Sequence, residues 1–182
     1  PIGRGYPSRR ITVSTAGVAP LIPRLVRETG VQLAVSLNTV EDRLRTQLMP
    51  INERWPLATL REALADVQLD PRRRLTIEYV LLAGVNDSPA KALALQRWLR
   101  GLRVKVNLIP FNEHEAASFA SPGEEAIDRF VSVLAERHVS VQVRRSRGRD
   151  VKAACGQLGG DLDYSQFLTD DTEVGAEVGA EV

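Results

Sequence analysis

A single cysteine, Cys155, stands among 182 residues. That excludes an internal disulfide framework, and it excludes a metal cluster held by several thiolates of this chain. No apolar run approaches the roughly 20 residues that a membrane-crossing helix requires, and no segment resembles a secretory leader. A cytoplasmic location without membrane contact is the expectation. The two histidines, His114 and His138, lie far apart and show no metal-ligand spacing. HExxH, CxxC, phosphate-loop and GxGxxG patterns are all missing. The first residues are Pro1-Ile2-Gly3-Arg4 with no Met, so further residues are expected upstream.

What is present begins with a hidden charge asymmetry. The net charge is +1, but residues 169–182 hold five acidic side chains and no basic one. Setting those five negative charges aside leaves the remainder at +6, a mildly basic surface suited to RNA phosphates. The same segment repeats Glu-Val-Gly-Ala and offers few large apolar groups. It reads as an acidic, disordered tail after a folded unit of residues 1–168.

Within that unit strands and helices alternate. β-Branched residues mark a strand over Arg10–Thr15, and Val18, Leu21, Ile22, Leu25 and Val26 recur at helical spacing until Gly30. Val31–Leu37 reads as a second strand, too apolar to face water on one side. A long connection, Asn38–Pro56, precedes a helix on Leu57, Leu60, Leu64 and Val67. Leu75–Leu82 predicts a third strand, and Ser88-Pro89 opens a helix carrying Leu93, Trp98 and Leu99. Val104–Ile109, a helix with Ile127, Phe130, Val131 and Leu134, and a fifth strand over Val139–Val143 complete the pattern. Such alternation requires a parallel sheet with crossover helices. Five strands cannot close an eight-stranded barrel, so the first strand is either an edge or the neighbour of strands outside this chain.

In parallel α/β folds the working face lies beyond the carboxyl ends of the strands. Here those ends carry Ser14-Thr15, Ser36-Leu37-Asn38-Thr39, Glu78 with Asn86-Asp87, and Pro110-Phe111-Asn112. Small hydroxyl and amide groups suit a neutral hydrogen-bonding pocket better than an acid/base pair. Singly, each also suits a helix cap or turn. Cys155 lies in Ala153-Ala154-Cys155-Gly156-Gln157-Leu158, a run of small residues. Arg144, Arg145, Arg147, Arg149 and Lys152 precede it; positive charge favours a thiolate, and the same cluster could grip phosphates. His138 reads as a helix C-terminal cap and His114 as a surface residue.

Seven segments follow in order: Arg10–Gly17 (RITVSTAG), Leu33–Asn38 (LAVSLN), Leu48–Asn52 (LMPIN), Thr76–Val80 (TIEYV), Gly84–Asp87 (GVND), Val106–Asn112 (VNLIPFN) and Ala153–Leu158 (AACGQL). Together they resemble the RlmN/Cfr family, radical S-adenosylmethionine (SAM) methyltransferases acting on carbon 2 or carbon 8 of an RNA adenine. The resemblance covers about residues 8 to 160. It implies the C-terminal half of a radical SAM partial TIM-type barrel, with Ser14, Ser36, Leu37, Asn38 and Asn112 at SAM. It assigns Cys155 as the catalytic residue, methylated by one SAM and then joined to the adenine through that carbon. A second SAM, cleaved at a [4Fe-4S] cluster to a 5′-deoxyadenosyl radical, would activate the methyl group. The family's cluster-binding CxxxCxxC motif and its second cysteine would lie before Pro1, and the chain alone would be inactive.

The implied partners are large-subunit ribosomal RNA, with transfer RNA as a further candidate, and an external electron donor. Asn38 departs from the family, where many members carry His, and Glu113–Ser118 replaces a proline- and glycine-rich turn. Two rival readings stay open: a non-catalytic RNA-binding module built on the arginines, and a thiol-dependent small-molecule enzyme. The second needs a base near Cys155, and no histidine is placed for it.

Overall fold

β-Branched runs become strands and apolar stripes become helices in the computed structural model, which describes residues 7–70, 72–113 and 118–145. The order is β1 (Thr12–Thr15), α1 (Ile22–Thr29), β2 (Gln32–Ser36), α2 (Asp42–Leu48), α3 (Leu57–Ala65), β3 (Leu75–Leu81), α4 (Pro89–Leu99), β4 (Val104–Pro110), α5 (Glu124–Ala135) and β5 (Val141–Val143). Short 3-10 turns lie at Ser8–Arg10, Ala19–Leu21 and Pro50–Glu53. The punctuation follows backbone chemistry. Gly30 ends α1 in the left-handed conformation at φ 65° and returns its N–H to Val26. Ser88 caps α4 by accepting from the Lys91 N–H at 3.3 Å, with Pro89 in the first turn. His138 follows α5 in the left-handed region at φ 59°, donating its N–H to Ala135.

All four strand pairings are parallel, and the strands lie in the order β1-β2-β3-β4-β5. Every connection therefore steps to the adjacent strand in one direction, the winding of a barrel segment rather than of a sheet that reverses midway. The described sheet leaves β1 at an edge.

Register separates the two faces. Thr15, Val35, Ile77, Val106 and Val141 form one row across the sheet. The next row is Ser36, Glu78, Asn107 and Gln142, and the row before it is Ser14, Ala34, Thr76 and Lys105. Successive residues point to opposite faces, so one face is aliphatic and the other polar. Most of the helices cover the aliphatic face, while α2 packs Leu44 and Leu48 with Val80, Leu82, Val85 and Phe111 at the carboxyl ends of β3 and β4. Ile22, Val26, Leu57, Leu60, Leu64, Leu95, Leu99, Ile127, Phe130 and Leu134 share one buried cluster with Leu33, Val35, Ile77, Tyr79, Leu81 and Leu108. The Phe130 and Tyr79 rings meet at 5.5 Å between centroids. β3 shows the alternation most plainly, buried and half-buried residues succeeding one another from Leu75 to Leu81.

α4 carries Leu93, Trp98 and Leu99 as read from the sequence; Leu99 faces the core with Ala92 and Leu95, and Leu93 and Trp98 are half-buried. Two local readings change. The Asn38–Pro56 connection contains α2 and the Pro50–Glu53 turn. α2 reads DRLRTQL and has little apolar stripe to announce it. Leu21, placed on the apolar stripe of α1, belongs to the preceding 3-10 turn and is 56% exposed. Residues 146–182, with Cys155, the loop around it and the boundary at residue 168, lie outside the described residues, as does His114. No helix among the described residues is long and apolar enough to cross a membrane.

Candidate active site

The polar face of the sheet and the carboxyl ends of its strands carry the residues singled out from the sequence. Ser14 is exposed on β1, and Ser36 is half-buried on β2. Ser14 pairs in register with Ala34, two residues before Ser36, so both hydroxyls stand on the polar face as diagonal neighbours. Asn112 follows β4 three strands from Ser14, about 14 Å across the sheet. It lines an open pocket of about 200 Å³ with Glu113, Ser121, Pro122, Glu124 and Arg145. Leu37 is different. Its side chain is fully buried in the helix-side core, so a contact between Leu37 and a ligand runs through its main chain.

Asn38 closes β2 in the left-handed conformation, at φ 62°, which asparagine tolerates better than most side chains. Its amide is already engaged: Oδ1 accepts from the Val80 N–H at 3.0 Å, and Nδ2 donates to Met49 Sδ at 3.3 Å. The β2–β3 ladder ends at Ser36 and Glu78, so the Asn38 side chain stands in for the next rung. Asn86 braces the same place from β3's far side. Its Nδ2 donates to the Asn38 carbonyl at 2.7 Å and to the Val80 carbonyl at 2.8 Å, and its Oδ1 accepts from the Leu82 N–H at 2.7 Å. Fully buried, Asn86 satisfies three main-chain groups at the open end of the sheet.

The β1–β2 seam has its own support. Arg45, on α2, is fully buried. Nη2 donates to the Ala16 carbonyl at 2.8 Å and to the Ser36 carbonyl at 3.2 Å, and Nη1 donates to Asn52 Oδ1 at 2.9 Å. Asn52 in turn donates to Asp42 Oδ1 at 2.9 Å and Thr46 Oγ1 at 3.0 Å. Burial pulls the Arg45 pKa down to about 10, partly offset by the Asp42 charge, and the guanidinium remains charged near neutrality. Gly17 leaves room for it: a Cβ there would lie 3.1 Å from Arg45 Nη2, and the backbone φ is 109°. The sequence placed Asn86 at the working face without a role and did not single out Arg45. Arginine is read as a surface residue by default, and the motif containing Asn52 was the one pointer to Arg45's surroundings.

The described arginines of the cluster differ. Arg145 forms a two-pronged ion pair with Glu124 at the first turn of α5, Nη2 lying 2.6 Å from Oε2, and this hydrogen-bonded pair raises its pKa. Arg144 is exposed beside Thr76, Lys105, Asn107, Ser140 and Gln142, which line an open depression on the polar face. Among the described residues no group of three or more His, Cys, Asp or Glu gathers to hold a metal. The hydroxyl, amide, carboxylate and cationic groups of the polar face are suited to hold a polar, charged small molecule by hydrogen bonds.

No family model matches the chain. The curated protein "Dual-specificity RNA methyltransferase RlmN" of Geobacter sulfurreducens is 54% identical over 161 residues, covering 88% of this chain and 45% of the relative. A solved radical SAM methyltransferase from Sphaerobacter thermophilus superposes with a TM-score of 0.76 at 49% identity, over 84% of this chain and 45% of that one. Over most of its own length the chain is thus similar to an RNA methyltransferase and to a radical SAM methyltransferase. It spans a little under half the length of these relatives. A domain of a pyruvate-formate lyase-activating enzyme from Bacteroides vulgatus, 17% identical with a TM-score of 0.58 over 73% of this chain, shares the fold. The parallel five-stranded α/β sheet described above is thus part of the partial barrel fold found in a radical SAM methyltransferase.

Proposed function

We propose that the protein containing this chain methylates an RNA adenine, at carbon 2, with SAM as methyl donor and Cys155 as the methyl carrier. Large-subunit ribosomal RNA is the proposed substrate, with transfer RNA as a second. The observation that supports this reading most is the 54% identity to an RNA methyltransferase across the strands whose ends carry Ser14, Ser36, Asn38 and Asn112. Donor chemistry on the polar face fits SAM, which combines a ribose, an adenine and charged amino-acid groups. The Ser14 and Ser36 hydroxyls and the Leu37 main chain would hold one end. Asn38 would shape the strand end through its backbone conformation, and Asn112 would meet the ligand from β4. When bound, SAM supplies an electrophilic methyl group. The Cys155 thiolate would accept that methyl and later carry the carbon to the base. An iron–sulfur cluster does not fit this chain alone, because one thiolate cannot replace three.

The direct test is methyl transfer from SAM labelled in its methyl group to ribosomal or transfer RNA by the full-length protein. Label recovered in methyladenine is the expected result. RNA left unlabelled by an intact, cluster-loaded protein contradicts the reading.

The basic segment before Cys155 is proposed to contact phosphates. Replacing Arg144, Arg145, Arg147 and Arg149 together with Ala is expected to weaken RNA binding irrespective of sequence. It should also flatten the plot of log affinity against log salt by roughly 2 units. The slope change falls short of four full contacts because Arg145 is already neutralised by Glu124. Titrations at several salt concentrations check this; an unchanged slope removes the segment from the RNA interface.

A further inference from the structure

We propose that Arg45 is a positioning residue for SAM, holding the ends of β1 and β2 at the spacing that Ser14 and Ser36 need to grip the ligand together. The inference rests on the proposal that SAM lies across these strand ends. Its starting point is the place where the ladder stops. β1 and β2 pair through Thr15 and Val35, and the next rung would join Ala16 to Ser36. That rung is made instead by the Arg45 guanidinium, whose Nη2 donates to both the Ala16 and Ser36 carbonyls. The two strands therefore part at the site edge, and a side chain from α2 sets how far.

Several features mark this clamp as built. Arg45 is fully buried, and a buried charge persists only where hydrogen bonds compensate its lost hydration. Its second prong is fixed by Asn52, itself held by Asp42 and Thr46. Asp42 Oδ1 also accepts from the Leu57 N–H at 2.9 Å, tying the network to the start of α3. Gly17, at a φ of 109°, keeps side-chain atoms away from Nη2. A planar fork reaching two carbonyls and an amide at once is specific to arginine. Lysine offers one nitrogen on a flexible stem and cannot hold the Ala16 and Ser36 carbonyls together with Asn52 Oδ1 in the same fixed geometry.

The test uses the full-length, cluster-loaded protein and S-adenosylhomocysteine as the probe, with affinity read by titration calorimetry and folding by thermal denaturation. Arg45→Lys and Arg45→Gln are expected to weaken the probe by about tenfold or more, because displacements near 1 Å have effects of that order or larger. Leu134→Ala, in the core beneath α5 and far from the clamp, serves as the comparison at a matched fall in Tm. Its affinity is expected to stay within about twofold of the parent, as distant sites behave independently. Equal affinity loss in the Arg45 and Leu134 variants at equal Tm overturns the positioning role, and so does parental affinity in both Arg45 variants. If the Arg45 variants do not fold, Gly17→Ala presses on the same Nη2, its Cβ 3.1 Å away. It should then weaken the probe, and parental affinity there overturns the inference. Failure of the unaltered protein to bind the probe would overturn the SAM reading itself, a result distinct from all of these.

Discussion

Cys155→Ala in the full-length protein is expected to abolish RNA methylation, by at least roughly 10⁴-fold, while affinity for S-adenosylhomocysteine is retained. Carbon 2 of adenine is electrophilic, so direct transfer of an electrophilic methyl group to it is chemically mismatched. A sulfur nucleophile can take the methyl from SAM, releasing S-adenosylhomocysteine and leaving a thioether; that carbon can join the base only after a hydrogen atom is removed from it, chemistry that the radical SAM machinery of the full-length protein would supply. Cys155 is the chain's one sulfur nucleophile, and Arg147, Arg149 and Lys152 precede it closely. Neighbouring positive charge favours the thiolate that attacks. Its flanking Ala153, Ala154 and Gly156 offer little steric hindrance to a nucleoside. Cys155→Ser should fail as completely, since a neutral hydroxyl is a far weaker nucleophile. Ligand affinity should persist because the proposed SAM contacts lie on β1, β2 and after β4. Loss of probe binding together with activity in a folded Cys155→Ala protein would instead mark the residue as part of the SAM pocket.

Asn86→Ala is expected to be the most damaging single polar substitution for stability, at about 3 kcal/mol or more. The side chain serves the Leu82 N–H and the Val80 and Asn38 carbonyls, and it is fully buried. Alanine would strand a buried donor and weaken two acceptors, and an unsatisfied buried group typically costs ~1–3 kcal/mol. Asn86→Asp should be no better, because a carboxylate turns acceptors toward two carbonyls. Chemical denaturation of the full-length protein checks both. A loss below about 1 kcal/mol for Asn86→Ala would mean that the left-handed turn at Asn38 is held without it. The same variant should lower probe affinity, because the end of β2 is shaped by that turn.

How much of this was legible in the sequence differs by element. The parallel sheet was, because Val31–Leu37 and Leu75–Leu82 are apolar runs separated by helical spacing and turn residues. The positions of Ser14, Ser36 and Asn112 at strand ends followed from the same reading. α2 was not legible: with Asp42, Arg43, Arg45, Thr46 and Gln47 in seven residues, it lacks the apolar period that identifies a helix. Of its two buried residues, Leu44 and Arg45, the more deeply buried is the arginine, which a hydropathy pattern places in solvent. The left-handed backbone at Asn38 was likewise hidden, since nothing local requires it; the requirement comes from Val80 and Asn86, distant in sequence. Asn38 was singled out as a ligand contact, and its amide is found linking β2 to β3 and to Met49. The polar face was implicit in the alternation of Thr76, Glu78, Lys105 and Asn107 with aliphatic neighbours. Register was needed to show that these alternate positions line one surface.

The central claim is that Cys155 carries a methyl group derived from SAM. Peptide mass spectrometry of the full-length protein purified from cells tests it most directly. The account predicts that the peptide containing Cys155 is heavier by one methyl group, that the methyl resides on sulfur, and that it is labelled when cells are fed methyl-labelled methionine. A Cys155 peptide that is always unmodified, in a protein whose Cys155→Ala variant still methylates RNA at the parental rate, would contradict it.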